Sequence, residues 1–247
     1  MELRKFNIPA PAGMLHGAAH IPAVGPRAIA VIAHPLPTMG GTMENKVVTT
    51  LAKTFAELGF VALRFNFRGV GNSEGVFDEG NGEVDDALAV VRYARQEFGG
   101  LPLILAGFSF GGYVQARVAQ QLHPQHLVLI APAVGRFAPS TELITSDLAG
   151  VVGQASRMAS SSIRTGPSTM LRTGPSTELR TGMPLVPHNT LLVHGEQDDV
   201  VPLADVLQWA RPQHLPVIVL PETGHFFHGR LPQLKDIVRH HFIGHAV

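Results

Sequence analysis

The sequence predicts an α/β protein: a mostly parallel sheet with helices on both faces, opened by an antiparallel hairpin. Three observations carry this expectation. Short β-type runs alternate with segments of helical period almost throughout the 247 residues, the pattern of a parallel sheet wrapped by helices. One early run, A-I-A-V-I-A at 28–33, is apolar at every position, as suits a strand covered on both faces. The first two β-type runs are separated only by a break rich in Pro and Gly, as a hairpin requires.

The elements follow in order. Leu3–Ile8 and Met14–Ile21 form the hairpin, and Ala28–Ala33 the first buried strand. From Lys46 a helical stripe of Val48, Leu51, Phe55 and Leu58 runs to Gly59, which ends it. A strand at Phe60–Phe65 leads into a glycine-punctuated loop and a helix over Val84–Phe98. The next strand, Leu101–Ala106, runs into G-F-S-F-G-G and a helix at Tyr113–Leu122. Strands at Leu127–Ala131 and Thr190–Val193, a helix at Leu203–Arg211, a strand at Val217–Leu220 and a last helix complete the chain.

One stretch breaks the alternation. Between Pro139 and Pro187 no strand pattern occurs, and R-T-G-P-S-T recurs from Arg164 and Arg172 with a period of eight. That period fits no solenoid, so 139–187 is expected to be an insertion into a single domain spanning 1–247. Within it Ile144, Leu148, Val151, Ala155 and Met158 share one helical stripe, which makes a small lid over a pocket one reading and a disordered expansion the other.

Composition removes several function classes. Nineteen basic residues balance nineteen acidic ones, so no charge excess points to nucleic acid or an anionic surface. The absence of cysteine excludes disulfides, thiol catalysis and Cys-ligated zinc. No apolar run reaches the roughly 18 residues of a membrane span. The N-terminal M-E-L-R-K-F-N-I-P has no apolar stretch of the secretory type, so a cytoplasmic location is expected. Thirteen histidines call for a metal check, but H-E-x-x-H is missing, and no metal or other cofactor is expected. The glycines near Gly69 lack the following Lys-Ser/Thr of a phosphate cradle.

The chemistry is carried by A-G-F-S-F-G-G at 106–112. Between a strand and a helix, G-x-S-x-G places the serine at the apex of a sharp turn. Residues two before and two after then approach closely and must be nearly free of side chain, which Gly107 and Gly111 satisfy. A hydroxyl is a poor nucleophile unless a base takes its proton and a third group orients that base. In this arrangement the acid and then the histidine follow at later strand ends. The strand at 190–193 runs into H-G-E-Q-D-D-V-V-P, which offers Asp198 or Asp199. The strand at 217–220 runs into P-E-T-G-H-F-F-H, which offers His225 or His228. Asp198 is preferred for its place in G-x-x-D-x-x-V-P, and His225 because Gly224 makes the tight turn directly before it. Developing oxyanion charge needs N–H donors. Phe110, just past the serine, is one candidate. The loop H-P-L-P-T-M-G-G at 34–41 supplies the other: Pro35 and Pro37 have no N–H, so Leu36 comes first, with Thr38 through Gly41 behind it.

These stretches, with H-P-x-P…G-G-T-M-x-N-K-V-V and R-F-N-F-R-G-V-G-x-S-E-G, resemble the α/β-hydrolase superfamily, and more narrowly its small, nearly capless bacterial serine hydrolases. The resemblance covers about 1–137 and 188–247. It implies an eight-stranded, mostly parallel sheet and serine-dependent hydrolysis with Ser109, Asp198 and His225, and it brings no particular substrate. Asn66 stands where many members keep Asp, and the loop around it is expected to shape the pocket floor rather than act in the chemistry. The expected activity is hydrolysis of a small-molecule carboxylic ester through an acyl-enzyme on Ser109. A peptidase or thioesterase on the same residues is the alternative, and a binding module without turnover a further one.

Overall fold

A computed structural model describes residues 1–135 and 183–243. Strands β1 (Glu2–Ala10) and β2 (Gly13–Ile21) form the expected hairpin, paired antiparallel from Glu2 opposite Ile21 to Ala10 opposite Gly13. Six further strands follow: β3 (Ile29–Ala33), β4 (Val61–Phe65), β5 (Leu103–Phe108), β6 (His126–Ile130), β7 (Thr190–Gly195) and β8 (Ile218–Leu220). Together they make one eight-stranded sheet in the order β1-β2-β4-β3-β5-β6-β7-β8. The β2–β4 pair is also antiparallel, and every pair beyond it is parallel. This is the α/β-hydrolase fold.

Among the described residues five helices cover the sheet: α1 (Lys46–Glu57), α2 (Asn81–Phe98), α3 (Phe110–Leu122), α4 (Leu203–Ala210) and α5 (Leu231–Ile243). Side chains alternate across a strand, so each buried strand feeds two cores. Ala30 and Ile32 of β3, with Ala62, Ile104, Ala106, Val128, Ile130 and Val193, join Val48, Leu51 and Phe55 of α1 and Leu234, Val238 and Phe242 of α5. On the other face α2 and α3 pack together, and Gln115 of α3 donates a hydrogen bond to the Val31 carbonyl of β3. Burial on both faces explains why β3 reads as a continuous apolar run, I-A-V-I-A, rather than an alternating one.

The ends of several elements differ from the sequence expectation for identifiable reasons. Helix α2 starts at Asn81 rather than Val84, because the Glu83 carboxylate accepts the N–H groups of Gly80 and Asp78 while Asp78 accepts that of Gly82. Helix α3 starts at Phe110 rather than Tyr113, its two glycines being helical and not part of the turn. Strand β5 runs two residues further than expected, to Phe108, since Gly107 still pairs with Ala33 and Phe108 with Ile130. The expected insertion at 139–187, with its helical stripe and its repeat, lies outside the described residues except for 183–187.

The carboxyl ends of β3, β5, β7 and β8 converge on one edge of this sheet. In an open parallel sheet that edge is where ligands bind.

Candidate active site

Ser109 joins β5 to α3 with φ 55° and ψ −119°, a conformation that side chains other than glycine rarely adopt. The strain is held from both sides: the Ser109 N–H donates to the Ile130 carbonyl at 2.9 Å, and its own carbonyl accepts from Gly112 and Ala133. The glycines of the frame are there for close approach. A Cβ on Gly107 would collide with the backbone of Gly111, and one on Gly111 with the carbonyl of Ala33.

Asp198 follows β7 in a tight turn, where its Oδ1 accepts the N–H of Val200 at 3.0 Å and of Val201 at 2.8 Å. Its Oδ2 lies 2.8 Å from His225 Nδ1, and His225 Nε2 lies 3.0 Å from Ser109 Oγ. A carboxylate only accepts, so Nδ1 carries the imidazole proton, and Nε2 is left to accept from the Ser109 hydroxyl. Burial pushes the Asp198 carboxyl up. The hydrogen bonds from His225 and the Val201 N–H, with the charge of the two nearby imidazoles, outweigh this and hold it below its ordinary value. Ser109, Asp198 and His225 are all buried. The structure therefore brings these three residues together. Asp199 is exposed, and so is His228, which is in ring contact with Phe226.

The loop after β3 forms the opposite wall. Pro37–Met39 make one 3-10 turn. Within it the Met39 and Gly41 N–H groups donate to the Leu36 carbonyl, and the Gly40 N–H to that of Pro37. Three of the fallback donors are thus engaged locally, whereas the Leu36 N–H donates to none of the described residues. Leu36, Phe110, Ser109 and His225 line a common cleft of about 230 Å3, closed further by Met39, Ala133, Val200, Val201 and Phe226. A second hollow of about 300 Å3 shares Gly40, Asn45 and Phe226 with it and adds the polar Thr42, Glu44, Lys46 and His228. Asn45 serves both places, since its side chain also caps α1 by accepting the Val47 N–H at 2.8 Å.

Two histidines beside this site escaped the sequence reading. His34, wholly buried, accepts the Phe67 N–H on Nε2 at 3.1 Å and donates from Nδ1 to the Pro35 carbonyl at 2.6 Å. It thereby ties the Leu36 loop to the chain after β4, and burial pushes its imidazole down to about 4. His194, at the end of β7, has Nε2 2.9 Å from the Val201 carbonyl and 3.4 Å from Asp198 Oδ2. The only sequence signal for either was position, one residue past a buried strand's apolar run.

The Asn66 loop is absent from the cleft lining. Asn66 Oδ1 accepts the Met43 N–H, Ser73 donates to the Asn66 carbonyl and accepts from the His16 N–H, and Arg68 grips Asp86 with two nitrogens. Its polar groups hold three segments of chain in place. Among the described residues no group of three or more His, Asp or Glu could hold a metal ion. No helix among them is long and apolar enough to cross a membrane.

A mostly parallel sheet carrying a serine elbow after β5, an acid after β7 and a histidine after β8 defines an α/β hydrolase. The chain belongs to the family described as serine aminopeptidase, S33, whose sequence profile matches residues 25–169. An uncharacterised protein of Rickettsia prowazekii (strain Madrid E) is 39% identical over 127 residues, 50% of this chain and 53% of that one. The lysophosphatidylserine lipase ABHD12 of Danio rerio is 32% identical over 97 residues, 37% of this chain and 25% of the lipase. The chain thus spans about half the length of the first of these relatives and a quarter of the second. Among solved structures, an α/β serine hydrolase without lid from Xanthomonas campestris is 33% identical with a TM-score of 0.75, over 98% of this chain and 94% of that one.

Proposed function

We propose that the protein hydrolyses carboxylic esters through an acyl-enzyme on Ser109. The observation that carries this reading is the unbroken line of hydrogen bonds from Asp198 through His225 to Ser109, ending at a cleft. His225 takes the hydroxyl proton as Ser109 Oγ attacks the acyl carbon, and Asp198 holds the tautomer and stabilises the imidazolium. The N–H groups of Leu36 and Phe110 receive the oxyanion. The tetrahedral adduct collapses, the alcohol leaves with the proton from His225, and the ester bond to Ser109 remains. Water then attacks that ester with His225 again as base, releasing the acid and the free hydroxyl. No residue of the scheme requires a cofactor.

The substrate class follows from the cleft. Its apolar lining suits an acyl chain, and the polar hollow beside it suits a hydrophilic remainder of the same molecule. The similarity to a lipase, an ester hydrolase, supports the same reading over the matched segment. Labelling with a fluorophosphonate probe, located by peptide mapping, is expected to modify Ser109. Nitrophenyl esters of increasing chain length should then be turned over with a clear preference. An unlabelled Ser109 in folded protein would falsify the reading and leave a binding module.

The family description favours a second reading, cleavage of an amide at a free amino terminus on the same residues. Amides need more protonation of the leaving group than activated esters. Aminoacyl nitroanilides turned over with higher kcat/KM than the best ester would select it, and acyl thioesters in the same panel test the thioesterase alternative.

A further inference from the structure

We infer that His194 is a positioning residue: its Nε2–H locks the turn that presents the Asp198 carboxylate to His225. What Asp198 contributes to turnover rests on the serine-hydrolase reading above. The geometry of the lock does not.

A carbonyl oxygen accepts only, so the 2.9 Å contact with Val201 places the His194 proton on Nε2. The same N–H points its positive end at Asp198 Oδ2, 3.4 Å away. Val201 meanwhile donates its own N–H to Asp198 Oδ1 at 2.8 Å. Residues 194, 198 and 201 therefore close a ring of contacts in which each holds the next. Both carboxylate oxygens are fixed: Oδ1 by the Val200 and Val201 N–H groups, Oδ2 by His225 Nδ1 and, more weakly, by His194. His194 is anchored on its other side by the sheet, where it pairs with Val219 of β8.

The ring has no place for a second proton. His194 is wholly buried and its Nδ1 meets no hydrogen-bond partner among the described residues, so protonation would strand an N–H in the interior. Burial accordingly pushes this imidazole down. A donor beside Asp198 that already gives its proton to the Val201 carbonyl differs from a second base: it orients the carboxylate and takes no part in proton transfer.

The arrangement also explains a residue choice. A Leu or Phe of similar size would fill the space but leave the Val201 carbonyl buried without its donor and the turn free to rotate. Gln can place an amide N–H near the position of Nε2, while Asn is too short to reach it.

The test compares His194→Leu, His194→Gln and His194→Asn. The readouts are kcat and KM on a nitrophenyl ester, the rate of fluorophosphonate labelling at Ser109, and the low-field proton resonance of the His225 Nδ1–H bond to Asp198. In His194→Leu, kcat and the labelling rate should fall about 10- to 100-fold with KM within about twofold, and the low-field resonance should broaden or shift. His194→Gln should recover most of both. A folded Leu variant with unchanged kcat overturns the inference, and so does a change confined to KM, which would show that His194 only supports the Val200–Val201 wall. Equal impairment of Leu and Gln overturns it too, since ring shape and not the donor would then matter. Should the Leu variant fail to fold, the Gln and Asn pair decides, and equal kcat in these two counts against the lock. The low-field resonance reads the Asp198–His225 bond whether or not any ester is cleaved. If the wild type neither labels nor turns over, that resonance alone still tests the lock, so the two readings fail separately.

Discussion

Two glycine-rich stretches end strands on the same edge of the sheet, and they use their polar groups in opposite ways. After β4, residues 66–80 turn their buried polar groups onto the protein. Arg68 grips the wholly buried Asp86, Asn66 holds Met43, and Glu83 gathers the N–H groups of Asp78 and Gly80. After β5, residues 107–112 hold Ser109 at positive φ with its hydroxyl against His225, facing a cleft where the Leu36 N–H donates to none of the described residues. A closed network rigidifies the chain and leaves nothing to bind with. The second stretch accepts backbone strain and turns the Ser109 hydroxyl to His225 at the cleft. Glycine content alone does not separate the two. What separates them is that the second stretch lines the cleft and the first does not.

The comparison breaks most visibly at the serine. Ser109→Ala should lower kcat by several orders of magnitude and abolish fluorophosphonate labelling while the melting temperature stays near the wild-type value. A melting temperature lowered along with kcat would show that Ser109 is a structural group like those of the first stretch.

Asp198 and Asp199 sharpen it within two adjacent residues. Asp198→Asn should cost roughly 10³- to 10⁴-fold in kcat, because the amide favours the wrong His225 tautomer. Asp199→Asn, at an exposed carboxylate, should change kcat less than about twofold. Similar losses in the two variants would mean that turn rigidity and not the carboxylate matters.

The first stretch should respond in stability and not in chemistry. Removing Arg68 strands the Asp86 charge in the interior, so Arg68→Ala should destabilise by about 3–5 kcal/mol, read by urea unfolding. The kcat of the protein that remains folded should be close to wild type. A large kcat loss at intact stability would move this loop into the chemistry.

His34 ties the first stretch to the Leu36 wall of the cleft, and acid should reveal it. Burial lowers its folded pKa to about 4. Between that value and the ordinary imidazole value near 6.5, the unfolded chain therefore binds more protons. Its contribution to stability is whole above about pH 6.5 and is lost as pH falls to 4, amounting to roughly 3 kcal/mol. His20 and His194 are lowered as well, both chiefly by burial, and add to the same slope. The depressed Asp198 acts in a lower window, its share being lost only below the ordinary carboxylate value. His34→Gln keeps an acceptor for the Phe67 N–H and should flatten the slope by the His34 share in urea titrations from pH 7 to 4. An unchanged slope would place that proton uptake elsewhere.

Much of this architecture was legible beforehand. The continuous apolar run that became β3 marked a buried strand, because burial on both faces removes the need for polar positions. Element ends were less legible. The start of α2 is set by Glu83 and Asp78 reaching back to backbone N–H groups, and neither carries a signal that distinguishes it from a solvated acid. The α3 start was displaced because Gly111 and Gly112 look like turn residues in isolation. They are helical here, and glycine because a Cβ on Gly111 would collide with the Ala33 carbonyl of β3 and one on Gly112 would crowd Pro132.

By itself the sequence determined the alternation of strand and helix and the one frame able to hold a serine at a strand-to-helix apex. Both rest on local physics, the period of apolar residues and the space left by glycine. Only the tertiary structure decided which of two neighbouring carboxylates and which of two nearby histidines faces Ser109. That choice depends on the rotation of two turns set by contacts far apart in the chain. The turn that aims Asp198 is closed by His194 and Val201, and the one that aims His225 is joined to it by the Thr223 carbonyl, which accepts the Gln197 N–H at 3.0 Å. The Gln197–Thr223 contact joins residues 26 positions apart in sequence, and only chain folding brings them within hydrogen-bond range.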